Sequence, residues 1–369
     1  MQPRKSSSRG FTLAEMMLSL ALGVVVVGVA VEMFSHAMSG TFSVSQQAEM
    51  QQDLRAAENM MVKDISMAGA GGFNSGGVPL VSGSGVTAPL YGCSSIGCGP
   101  NNKTGLTFPT NSAVNYLYAI TPGYRKGATL NSTKGATDVI TVTYVDTTLA
   151  LNQYLMTFPN AAPTTALFTM PVPTPIPAPI PVSDSGTGLQ LGDFVLISSS
   201  VGGSTAYAVA EVSTVSGVAS PYTVQFNTPS NSKLNQLGGA YGLTALVGGT
   251  NMTARRIWVI TYYIDVKTDG TPVLMRQVNA RIPIAVSENI SDLRFLYDTY
   301  DDTKNPPTQI NTIDANLSTG GSPNLIRKIT IQHLTLRSPL AHSDGYQAMD
   351  VQTSISARNL GYSDRYPVQ

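Results

Sequence analysis

"RGFTLAEMMLSLALGVVVVGVAVEMF" (Arg9–Phe34) decides how the rest of the chain is read. From Phe11 to Val31 it offers 21 residues whose only charge is Glu15, enough for about 30 Å of helix and so enough to cross a bilayer. A carboxylate inside such a span costs roughly 2.5–3.5 kcal/mol on insertion scales, so it calls for a partner. Arg4, Lys5 and Arg9 precede the run and nothing acidic stands before Glu15. That bias keeps the front end in the cytoplasm and exports the chain that follows Phe34.

Three readings of this front end compete. A secretory signal would use the basic start, the apolar middle and a small-x-small site at Ser35-His36-Ala37. A plain membrane anchor explains the length and leaves Glu15 without a role. The third reading accounts for every residue: "RGFTLAE" resembles the prepilin-type cleavage and methylation motif of type IV pilins and type II secretion pseudopilins, with a basic leader, a Gly, Phe-Thr-Leu-x-Glu and an apolar helix. The resemblance implies that a prepilin peptidase cuts between Gly10 and Phe11 and methylates the new amine of Phe11. A glycine at the cut lets the scissile backbone enter a tight active site. It also implies the partner of Glu15, the cationic N-terminal amine of a neighbouring subunit. Two charges that are each costly in hydrocarbon then cancel in a single register.

Past the bilayer the helix is expected to continue. Leu54, Ala57, Met61, Ile65 and Ala68 recur at three- and four-residue steps, an apolar stripe, with Gln, Glu, Asp, Arg and Lys on the other face. "AGAGG" (Ala68–Gly72) stops it, which makes a helix from Phe11 of roughly 85 Å. Gly23 and Gly28 on the spanning half are tolerated small residues. After Gly72 the texture changes to short alternating runs between Gly, Ser, Asn and Pro. Strands are expected at Ala113–Ile120, Thr137–Val145, Gly192–Ser198, Thr205–Val215, Arg256–Val266, Pro272–Val278, Leu293–Tyr300, Ile326–Ser338 and Val351–Asn359. "KTDG" (Lys267–Gly270) reads as a hairpin turn. The fold class is α+β: a long N-terminal α-helix, transmembrane then amphipathic, packed on an antiparallel β-rich globular head. The expected divisions are a leader at 1–10, a transmembrane half at 11–33, an amphipathic half at 34–70 and a head at 71–369.

The order of these runs resembles the PilW-type minor pilins. "GATDVITVTYV", "LGDFVLISSSVGGSTAYAVAEV", the hairpin "IWVITYYIDVKTDGTPVLMRQV" with "VSENISDLRFLYDTY" after it, and the closing "SISARNLGY" carry the likeness over about two-thirds of the chain. The proline common in the outer part of pilin membrane helices is replaced here by Glu32 and Met33. By that resemblance the chain is a minor pilin in type IV pilus assembly or its initiation, at or near the tip. The partners implied are prepilin peptidase, other minor and major pilins, the inner-membrane assembly platform and, before assembly, membrane lipid. The location implied is the inner membrane, with the head periplasmic, and then the pilus at the cell surface. A minor pseudopilin of a type II secretion system has the same N-terminal physics. An exported, membrane-tethered binding protein is the reading of a different class.

The remaining features point to structure rather than chemistry. Charged residues are 12% of 369 and cancel to no net charge, so bulk electrostatics does not favour a nucleic-acid partner. Three His and two Cys leave little for a metal or a nucleophile; no enzyme activity, cofactor or metal is expected. Cys93 and Cys98, in "CSSIGC", lie in the exported part without a nearby His and read as a disulfide contributing about 2 kcal/mol. "MPVPTPIPAPIPV" (Met170–Val182) reads as an extended surface strap or spacer. "DTYDDTKN" (Asp298–Asn305) reads as a solvated turn; its carboxylates, which include Asp302, lack the spacing of a calcium loop. "VGGS" and "LGGA" read as turns, and His333 and His342 as lone histidines outside any triad.

Overall fold

The computed structural model describes residues 10–73, 77–100, 105–111, 114–175, 177–301, 304, 308–314, 322–339, 346–357 and 359–360. The leader residues 1–9, Ala113, Asp302, Asn305, His342 and Arg358 lie outside them. Helix α1 (Leu13–Ser66) runs for 54 residues, about 81 Å, without a proline. It ends where expected: Gly69, Gly71 and Gly72 all take positive φ, between 74° and 78°, which only glycine adopts without strain.

Contacts divide the chain into two units, residues 1–52 with 338–347, and residues 53–337 with 348–369. In the first unit the helix is uncovered over most of its length, and Met50 near its end is buried. Its large apolar side chains from Phe11 to Val44 stand exposed, Leu20 at 71% and Val25 at 62%. It is long and apolar enough to cross a membrane. Gln46 Nε2 donates to Ser338 Oγ at 2.8 Å.

The second unit holds the last turns of α1 and the β-rich head. Every position of the apolar stripe from Leu54 through Ala57, Met61 and Ile65 to Ala68 is fully buried. One polar neighbour departs from the expected pattern. Asp64, assigned by the sequence to the solvent face, is buried and accepts hydrogen bonds from Tyr262 Oη (2.6 Å) and Arg276 Nε (2.7 Å). The stripe therefore supplies apolar burial and Asp64 supplies register, because a buried carboxylate is tolerable only against fixed donors. Burial raises the Tyr262 hydroxyl pKa far above its ordinary value, and the adjacent Asp64 carboxylate adds to the shift, so it stays a donor.

A seven-stranded sheet forms the centre of the head. Its strands are β1 (Ile120–Gly123), β2 (Val139–Val145), β3 (Phe194–Val201), β4 (Ser204–Glu211), β5 (Thr250–Val266), β6 (Pro272–Val278) and β7 (Ile284–Glu288). β5 organises it: antiparallel β3 pairs with its residues 250–257, β2 with 257–262 and β6 with 260–266. A four-stranded antiparallel sheet follows, from β8 (Ile290–Asp301), β9 (Thr308–Asp314), β10 (Ile326–Pro339) and β11 (Tyr346–Ser356), in the order β9-β8-β10-β11. Between β5 and β6, Gly270 at φ +88° closes the Lys267–Gly270 turn, with Lys267 N donating to Thr271 O. Gly202 and Gly203, both at positive φ, make the two-residue link from β3 to β4.

Two expected strands are broken, each because the chain changes sheets. The Ala113–Ile120 run becomes Val114–Leu117, which pairs with Val78–Leu80, and β1, which pairs with β2. The Thr205–Val215 run ends at Glu211; Ser213 N turns away to Gln225 O, and Thr214–Ser216 joins Tyr222–Gln225. Of the carboxylates in Asp298–Asn305, the two that are described do not sit in a solvated turn. Asp298 and Asp301 lie on β8, where buried Asp298 pairs with Lys328 at 3.1 Å and Asp301 with Lys304 at 3.7 Å.

Arg256 on β5 is nearly inaccessible and joins Asp146 (2.5 Å) and Asp193 (3.5 Å), while Arg281 reaches Asp193 at 2.5 Å. The guanidiniums of Arg256 and Arg281 lie 4.5 and 5.3 Å from the ring centre of Trp258. The described residues of Met170–Val182 form no strand, and the stretch is held at its ends. Met170 N donates to Ser220 Oγ, the Tyr154 hydroxyl donates to Ile180 O, and Val182 is buried.

Candidate assembly site at the start of the long helix

Gly10 and Phe11 precede α1 in irregular, exposed backbone. A Cβ added at Gly10 would meet nothing within 4 Å. Packing among the described residues therefore makes no demand for glycine there.

Thr12 and Glu15 form a reciprocal cap on the first turn. Glu15 N donates to Thr12 Oγ1 (3.3 Å), and both Thr12 N and Thr12 Oγ1 donate to Glu15 Oε2 (3.0 Å each). Its sequence signal is Thr-x-x-Glu before an apolar run, the capping-box pattern, which the prepilin-type motif overlays on the same residues. The cap satisfies helix donors that no earlier turn can accept. A cut between Gly10 and Phe11 would leave all of these atoms in place. Glu15 stays exposed while it caps, so its carboxylate remains open to a further donor.

Residues 5–31 match the prokaryotic N-terminal methylation motif. The chain is also similar to the pilin-like protein PilA3 of Thermus thermophilus, with 30% identity over 103 residues. That match spans 28% of this chain and 42% of PilA3, less than half of the relative's length. No solved structure matches the chain. The prepilin-type motif and the pilin-like relative together support a type IV pilin-like, structural protein.

Elsewhere the structure separates pairing from chemistry. Cys93 and Cys98 are bonded to each other across a hairpin of two-residue strands, with Cα atoms 3.9 Å apart. A Cβ at Gly105 would collide with Cys93 Sγ, so the disulfide packs directly on that backbone. His333 Nδ1 lies 2.7 Å from Asp350 Oδ2, whose other oxygen accepts from Thr335 Oγ1. This is a cross-strand polar ladder on the exposed face of β10 and β11. Among the described residues no three His, Cys, Asp or Glu side chains converge on a metal position.

Proposed function

We propose that this chain is a minor pilin of the PilW type, made as a precursor and cut between Gly10 and Phe11 by prepilin peptidase. In this reading 1–10 is the leader, and Phe11 becomes the methylated N-terminus. The half at 11–33 lies in the inner membrane before assembly, the half at 34–70 carries the head at 71–369, and the head faces the periplasm. The mature chain then joins major and other minor pilins on the assembly platform and takes part in starting a type IV pilus, at or near its tip.

The observation that carries the proposal is the coincidence of a methylation motif at residues 5–31 with a bare apolar helix whose one early charge is Glu15. An apolar face of this length, uncovered by its own chain, needs lipid or neighbouring helices. A carboxylate at its start pairs with the new amine of an adjacent subunit and sets the stagger between helices. The likeness to a pilin-like protein supports the same class.

Coexpression with active and with inactivated prepilin peptidase tests the first step. With active enzyme the chain loses ten residues and shifts on a gel; with inactive enzyme it stays full length. A chain that shifts equally in both cells is processed by another route, and the proposal fails.

A further inference from the structure

We infer that the head carries a binding cleft for an acidic sugar, built on the face of the central sheet that turns away from its core. Along β3, Val195 and Ile197 enter the core, as do Ala208 and Ala210 of β4 and Ala254 of β5. Strand alternation turns Ser198, Tyr207, Thr253 and Arg255 to the opposite face. There they line a cleft of about 900 Å³ whose far wall is the glycine-rich turn that ends α1.

The charge distribution in this cleft is one-sided. Arg255 is the sole charged residue among the described lining, and its exposed guanidinium forms no hydrogen bond or ion pair with a described residue. A Cβ at Gly72 would stand 4.0 Å from Arg255 Nη1, an ordinary van der Waals separation, so the turn and the guanidinium border the same space. The amides of Gly71 and Gly72 donate to no described residue. An exposed guanidinium without an acid partner among the described residues is a group that recognises a carboxylate or phosphate.

A second cationic hollow, of about 350 Å³ around Arg294, is a useful contrast. There Arg294 meets Asp292 at 3.0 Å and Lys134 meets the same carboxylate at 3.4 Å, so the acids are already supplied. Among the described residues that line it, the Arg255 cleft has no acid.

The rest of the lining selects the body of the ligand. Ser198 Oγ and Thr253 Oγ1 lie 2.8 Å apart on the floor, hydroxyls that both donate and accept. Tyr207 presents a ring on the same face, 38% exposed, and Tyr241 closes a side with its backbone at φ +61°. Hydroxyls with two-way hydrogen bonding, flat rings and one cation suit a sugar carrying a carboxylate, such as a hexuronic acid unit. The ring takes the apolar sugar face, the hydroxyls take its hydroxyls, and Arg255 takes the acid. This inference is independent of whether the chain enters a filament.

Calorimetric titration of the full chain in detergent micelles with trigalacturonate tests it. Saturable binding is expected, and methyl-esterified trigalacturonate should bind about tenfold or more weakly, because the charge-assisted pair is lost. Arg255→Gln should lose about tenfold or more and Tyr207→Ala a few fold, while Arg294→Gln in the other hollow leaves affinity unchanged. Circular dichroism verifies that each variant is folded. No saturation with the folded wild type would overturn the inference. So would binding that Arg255→Gln does not move, or a preference for a short peptide with a free terminal carboxylate over the uronate.

Discussion

The two ends of α1 share one backbone conformation and differ in what surrounds their side chains. From Leu13 to Val31 the helix carries apolar side chains on every side with Glu15 as its one charge, and its large apolar side chains stand bare on to Val44. From Leu54 to Ala68 it is apolar on a single stripe, and the stripe is sealed in the head's core. Charges follow the same division. Glu15 at the first end is capped by Thr12 and remains exposed, whereas Asp64 at the second end is buried against Tyr262 and Arg276. One carboxylate is satisfied within its own unit, and the other keeps capacity for a partner. The contrast teaches that a helix's face, not its length, tells which part is meant for its own fold and which for something outside it.

The largest effect is expected at the open end. Glu15→Gln should leave the chain in the membrane and reduce its share of sheared filaments by about tenfold or more, since an uncompensated amine in hydrocarbon costs on the order of a few kcal/mol. Glutamine still serves a capping box, so this variant separates charge from cap. Normal recovery of Glu15→Gln beside other filament subunits would show that the carboxylate acts only within its own chain.

At the closed end, Asp64→Ala strands the Arg276 guanidinium and should cost about 3–5 kcal/mol of head stability in denaturant unfolding, without affecting membrane insertion. Leu54→Ala should cost about 2–5 kcal/mol in the same assay, and Val25→Ala on the bare end less than about 0.5 kcal/mol. Equal losses for Leu54→Ala and Val25→Ala would erase the distinction between the two ends. Reduction of Cys93–Cys98 should lower head stability by about 2 kcal/mol in the same measurement. The smallest effect belongs to Thr12→Ala, about 1 kcal/mol and local to the first turn, read as faster hydrogen exchange at the amide of Glu15. Filament incorporation should survive it.

Much of this architecture was legible because it is periodic. The 3.6-residue spacing from Leu54 to Ala68 marked the buried stripe, and the glycines after it marked the stop. Long strands such as β5 and β6 were visible in their β-branched and aromatic runs, and the Lys267–Gly270 turn in its Asp-Gly. What escaped depends on contacts distant in sequence. Asp64 looks like any exposed helix acid until Tyr262 and Arg276 are placed beside it, some two hundred residues on. The break after Glu211 follows from Gln225 drawing Ser213 into another sheet, which local alternation cannot register. At the front end the Phe-Thr-Leu-x-Glu pattern was plain in one dimension. The Thr12 cap needed only a different template applied to the same residues. The Arg255 cleft had no sequence signature, because its lining is gathered from the helix stop, four strands and residues between elements.

Intact mass spectrometry of the chain recovered from sheared surface filaments tests the central claim most directly. The account predicts a polypeptide that begins at Phe11 and carries one added methyl group on its terminal amine. A chain that still bears its first ten residues, or one that never appears among filament components, would contradict it.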